Sequence, residues 1–206
     1  MASTMTTCLV LLGCVIAATA TAAAPVAART SMIYLREQHQ TDARMDTLYD
    51  FVRGPGRTTF NAVAIEYGFL SANATLGLYA TAPGAASVAA FVARFRALPG
   101  VCVYLYVLGS CPTCGPPQIA AIRAVMAAPA QFVGALVAGA RALGAAGVVL
   151  DFEPGDCNKT KGVAPCTRAD GAAFVAFVKT LGGALVGKGL ELKVYVEGWE
   201  YHGIDS

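Results

Sequence analysis

Charge and histidine are both scarce in this chain, and each shortage closes off a class of function. Its 206 residues include 15 Lys or Arg and 13 Asp or Glu, a net charge of +2, with neither a basic run nor an aromatic-rich basic patch. Such a balance supplies no field to hold a nucleic acid. Only two histidines occur, His39 and His202, and neither is spaced with cysteines as a zinc site requires, so no metal is expected. No G-x-G-x-x-G follows an apolar run, because Gly54-Pro55-Gly56 continues into Arg57-Thr58-Thr59, and Gly187-Lys188-Gly189 lacks the hydroxyl residue of a phosphate-binding loop. The G-x-S-x-G elbow of many serine hydrolases is absent as well. The expectation is a protein without nucleotide, metal or other cofactor.

Beyond the first twenty residues no stretch reaches the ~20 uninterrupted apolar residues of a membrane helix. Met1 to Ala20 carries no charge and contains the apolar run Cys8 to Ile16, too short to span a bilayer but suited to a secretory signal. Ala18-Thr19-Ala20 supplies a small-x-small cleavage site, which places the end of the leader between residues 20 and 24. Export into an oxidising compartment is expected, with no membrane attachment beyond the leader. Five cysteines follow: Cys102, Cys111, Cys114, Cys157 and Cys166. Cys157 and Cys166 share one polar segment and are expected to pair, with Cys111 and Cys114 forming further disulfide staples. A Cys-x-x-Cys between a strand and a helix can also be a thiol–disulfide site, and that is the remote alternative for Cys111 and Cys114. Asn73-Ala74-Thr75 and Asn158-Lys159-Thr160 are possible N-glycosylation sites.

Strand and helix patterns alternate along the remainder. Met32 to Leu35 is a short strand, and Asp42 to Arg53 a helix with Met45, Leu48, Tyr49 and Val52 on one face. Phe60 to Leu70 is apolar on both faces, as in a parallel strand covered on both sides, and Glu66 is expected to share the small-residue face of Ala62, Ala64 and Gly68. A helix over 85–98 leads to a strand over 101–108, two helical pieces broken near Pro129, a strand from Gly147, a helix over 169–186 and a strand from Leu190. This order predicts an α/β fold with a parallel sheet and right-handed crossovers. A full (β/α) barrel of the TIM type has eight strands and ~250 residues. Residues 30–206 supply only about five such strands, and are expected to form the N-terminal part of one.

The stretch Gly147-Val148-Val149-Leu150-Asp151-Phe152-Glu153-Pro154 carries the chemistry. Alternation points Asp151 and Glu153 the same way from the end of a strand, and two acids sharing one space raise the pKa of one member. The segment resembles the fourth barrel strand of family 18 glycoside hydrolases, the chitinase family, whose pattern is DGxDxDxE. On that pattern Glu153 falls on the general acid and Asp151 on the aspartate that orients the substrate's N-acetyl group. The family's first aspartate falls on Ala146 and its second on Val149, so half of the acidic ladder is absent.

The resemblance covers mainly Met32 to Trp199 and implies substrate-assisted hydrolysis of β-linked N-acetylglucosamine glycans, in which the nucleophile is the substrate's own acetamido carbonyl. In a barrel the catalytic groups gather at the carboxyl ends of strands, which adds Glu66 and Glu197 to the rim, with Tyr106 and Trp199 as aromatic platforms for an oligosaccharide. Tyr104 and Tyr195 are expected in the core. The alternative is a non-catalytic, lectin-like carbohydrate-binding protein on a degenerate barrel.

Overall fold

A computed structural model of the chain describes residues 30–35, 42–79, 87–109, 118–152 and 167–195. Six strands, β1 (Met32–Leu35), β2 (Ala62–Leu70), β3 (Leu76–Leu78), β4 (Cys102–Leu108), β5 (Gly147–Asp151) and β6 (Glu191–Val194), form one sheet. Five helices connect them: α1 (Asp42–Arg53), α2 (Val88–Arg96), α3 (Gln118–Ala127), α4 (Ala130–Leu143) and α5 (Arg168–Val186). The strand order is β1-β2-β4-β5-β6, every neighbouring pair parallel, with β1 and β6 at the two edges, so the sheet is not closed among the described residues.

The helix boundaries follow local chemistry. Ser87 starts α2, its hydroxyl accepting from the Ala90 N–H at 3.2 Å. Thr167 and Asp170 make a reciprocal capping box at the start of α5. Pro129 separates α3 from α4, and the two helices meet at 91°. Gly144 ends α4 in the left-handed region at φ 62°, a conformation glycine adopts without a steric penalty.

Alternation divides each strand between two environments. Toward the helices point Val63 and Ile65, Val103, Leu105 and Val107, and Val148 and Leu150, all buried against Phe91 and Phe95 of α2, Val125 of α3 and Leu136 of α4. Phe132, Phe152 and Phe177 close this layer, with ring centroids 5.7 to 6.3 Å apart. Burying each such side chain stabilises the fold by about 1.5–3 kcal/mol, so this face holds the sheet and helices together. By length and composition α5 could cross a membrane, yet its stripe of Phe177, Leu181 and Leu185 lies in this core. Val175 and Val186 on the same helix remain exposed.

The parallel sheet expected from the alternation of strand and helix is present, with one addition: β3 turns back and pairs antiparallel with the last residues of β2, Gly68 with Leu78 and Leu70 with Leu76. One expectation needs correction. Gly68 does not share the face of Glu66. Glu66 pairs with Tyr106 but Gly68 pairs with Val107, so Tyr67 is an extra residue at a bulge that reverses the alternation. Tyr67 packs toward α4, where a Cβ on Gly139 would lie 2.4 Å from its hydroxyl. Beyond the bulge Leu70 belongs to the helix-side core.

Candidate active site

The face of the sheet opposite the helices carries a different set of residues. Register places Tyr34, Ala64, Tyr104, Gly147 and Glu191 in one row across β1, β2, β4, β5 and β6. The next row is Glu66, Tyr106, Val149 and Lys193, and beyond it Leu108 pairs with Asp151. In the first of these rows large and small side chains alternate across the strands, as in the filled interior of a small barrel. Tyr104 reaches across Gly147 so that its hydroxyl donates to Glu191 Oε2 at 2.8 Å. A side chain at Gly147 would not fit, since its Cβ would lie 2.1 Å from the Glu191 carbonyl oxygen.

Tyr104 and Glu191 titrate apart. Burial, then the hydrogen bond to Glu191, pushes the Tyr104 phenol well above its usual range. The Lys193 ammonium, 2.8 Å away, and then the Tyr104 hydroxyl hold the Glu191 carboxyl below the usual carboxylate range. These three residues lock β4 to β6 near the amino ends of the strands, away from the carboxyl-end rim.

Two buried acids lie on this face: Asp151, 5% exposed, at the carboxyl end of β5, and Glu66, 2% exposed, at the middle of β2 and one row behind, not at the strand end expected of it. Both face away from the helices, as the strand pattern predicts. Glu66 accepts a hydrogen bond from the Tyr79 hydroxyl at 3.1 Å. Tyr79 is delivered by the β2–β3 hairpin and packs its ring on Phe69, with centroids 5.0 Å apart. Asp151 accepts from the Tyr106 hydroxyl through Oδ2, while its Oδ1 is buried without a hydrogen-bond partner among the described residues. A buried carboxylate oxygen without a partner costs free energy, and such exceptions are found where a ligand or water completes the set.

Three tyrosines surround Asp151. Tyr34 sets the edge of its ring against Tyr106, centroids 5.4 Å apart at 71°. Its phenol pKa is raised by burial first, then by the charge of Asp151 and by Tyr195. Tyr106 is buried, whereas Tyr34 and Tyr195 are 44% and 40% exposed. Tyr195 therefore departs from the core position expected of it, because β6 is an edge strand and the residue follows its last pair. Tyr34, Tyr79 and Tyr195 were not legible as site residues from sequence. Their signal is the smallness of Ala62, Ala64 and Gly147, which leaves room for rings from neighbouring strands.

Glu153, Glu197, Trp199, Cys111, Cys114, Cys157, Cys166 and Asn158 lie outside the described residues. Cys102 is exposed and in no disulfide. Asn73 is exposed at the tip of the β2–β3 hairpin, its Oδ1 accepting from the Thr75 hydroxyl at 2.7 Å. Among the described residues no three His, Cys, Asp or Glu side chains gather where they could hold a metal ion.

A parallel sheet with helices on one face, and on the other a buried acid at the carboxyl end of a strand, is the arrangement of a (β/α) barrel. Solved structures of chitinases share it. A class V chitinase from Pseudomonas fluorescens matches over 81% of this chain and 44% of its own, at 25% identity and a TM-score of 0.56. The GH18 chitinase ChiB of Flavobacterium johnsoniae matches over 81% and 46%, at 14% identity and a TM-score of 0.53. A mutant class V chitinase from Nicotiana tobaccum, solved in complex with NAG4, matches over 81% and 44%, at 16% identity and a TM-score of 0.56. The chain thus spans under half the length of each of these three chitinases, and it resembles family 18 glycoside hydrolases in fold. No family model matches the sequence. No curated protein matches it either.

Proposed function

We propose that this chain is a secreted, chitinase-like carbohydrate-active protein whose site accepts β-linked N-acetylglucosamine glycans. The observation that carries the reading is the unpartnered Oδ1 of buried Asp151, at the carboxyl end of β5 on the helix-free face of a chitinase-like sheet. In this reading Glu153, next in the strand pattern, protonates the leaving glycosidic oxygen. Asp151 accepts from the substrate's acetamido N–H and steadies the positive charge that develops as the acetamido carbonyl attacks. Glu66 and Tyr106 line the inner face, and Glu197 and Trp199 extend the rim. Binding of NAG4 by a chitinase of the same fold supports an oligosaccharide as the ligand.

The leader supports secretion, and with it disulfide staples among Cys111, Cys114, Cys157 and Cys166 and glycans on Asn73 and Asn158. A second reading, binding without catalysis, is favoured by Ala146 and Val149, which leave the acidic ladder without two of its carboxylates. General acid catalysis alone contributes about 10²–10⁴-fold, so Glu153 without that ladder gives slow turnover.

Incubation with an N-acetylglucosamine tetramer, with products followed by mass spectrometry, separates the two. Slow release abolished by Glu153→Gln supports the hydrolase. Binding without release supports the lectin-like form, and release that survives Glu153→Gln removes the assignment of the acid.

A further inference from the structure

The inner face contains a substitute for the acid that is absent at Val149. In the family pattern an acid at that position would share a face with Asp151 and sit one step behind it along the strand. Here the side chain is Val149, 1% exposed, with no polar atom to offer. Its cross-strand partner on β4 is Tyr106, and the Tyr106 hydroxyl reaches forward to bond Asp151 Oδ2. The Tyr106 ring is held in turn by the edge contact with Tyr34, and Ala64 between their strands is small enough to permit it.

We propose that Tyr106 is a positioning residue which fixes the Asp151 carboxylate from the neighbouring strand, in place of the missing ladder acid at position 149. The inference rests on the carbohydrate reading above. A carboxylate at a strand end rotates about two side-chain bonds, and anchoring Oδ2 presents Oδ1 to a ligand in one orientation. Of the two oxygens, the anchored one has the phenol and the other has no partner, as a site set for one incoming donor requires. Tyr106 thereby acts through Asp151 rather than as a stacking platform, which agrees with its 6% exposure.

The test uses the full chain and the N-acetylglucosamine tetramer as probe. In ligand-free protein, proton NMR should show a slowly exchanging, downfield phenolic proton that disappears in Tyr106→Phe. Calorimetry should find tetramer affinity weakened about tenfold in Tyr106→Phe, the effect of losing one hydrogen bond to a charged group, and unchanged in Asp170→Asn, which alters only the helix layer. Adding Val149→Asp to Tyr106→Phe should recover part of the loss, which a merely structural tyrosine would not allow. Wild-type binding left intact by Tyr106→Phe in a folded variant overturns the inference alone. A wild-type chain that does not bind the tetramer overturns the carbohydrate reading, and the inference with it.

Discussion

The two faces of one sheet differ in kind, although they are built from alternate residues of the same strands. The helix side of β2, β4 and β5 is aliphatic, with Val63, Ile65, Val103, Leu105, Val107, Val148 and Leu150 each at 1% exposure or less. The opposite side of those strands carries Glu66, Tyr104, Tyr106 and Asp151, nearly as well buried. Packing alone explains the first face. It does not explain the second, where each acid must be given a hydrogen-bond partner and one carboxylate oxygen is left without any. The difference assigns stability to one face and underlies the proposal of ligand chemistry on the other, under which substitutions on the two should have opposite signatures.

The largest effect is expected on the helix side. Phe132→Ala removes a ring that is fully buried between Phe152 and Phe177, and should destabilise the fold by about 3–5 kcal/mol in chemical denaturation. On the inner face, Asp151→Asn relieves the burial of a charge and should leave stability within about 1 kcal/mol of wild type, while weakening tetramer binding at least tenfold. Equal loss of stability from both substitutions would erase the distinction between the faces.

A smaller effect belongs to the helix layer and depends on pH. Arg123 grips Asp170 through two nitrogens, at 2.7 and 3.0 Å, and together with the Thr167 cap holds its carboxyl down to about 2. An aspartate lowered on folding contributes stability above its unfolded pKa of about 3.9 and loses it as pH falls toward the folded value. Because the pair is partly open to solvent, its contribution should be about 1 kcal/mol, lost between about pH 4 and pH 2. Asp170→Asn should flatten that part of the stability profile without changing tetramer binding. Thr167→Ala, which removes one cap of α5, should cost about 1 kcal/mol at neutral pH.

Much of this architecture is legible in the sequence because it depends on local periodicity. The break at Pro129, the stripe of Phe91, Val92 and Phe95, and the placement of Glu66 opposite the helices all follow from spacing along single elements. What was not legible depends on pairing between elements. The bulge at Tyr67 is set by the register of β2 on β4, and β3 is only three residues long with a glycine at its centre. The available signal was the glycines themselves. A Cβ on Gly68 would lie 2.4 Å from the Gly77 carbonyl, and one on Gly77 would lie 2.6 Å from the Phe69 ring. That hairpin is what carries Tyr79 to Glu66, so one unseen turn hid part of the site.

The proposal that the inner face takes a carbohydrate turns on Asp151, and calorimetric titration of the N-acetylglucosamine tetramer into wild type and Asp151→Asn, both checked as folded, tests it most directly. Saturable binding by the wild type, weakened at least tenfold in Asp151→Asn with the unfolding transition unmoved, is the predicted result. Equal affinity in the two proteins, or no binding by the wild type, would contradict it.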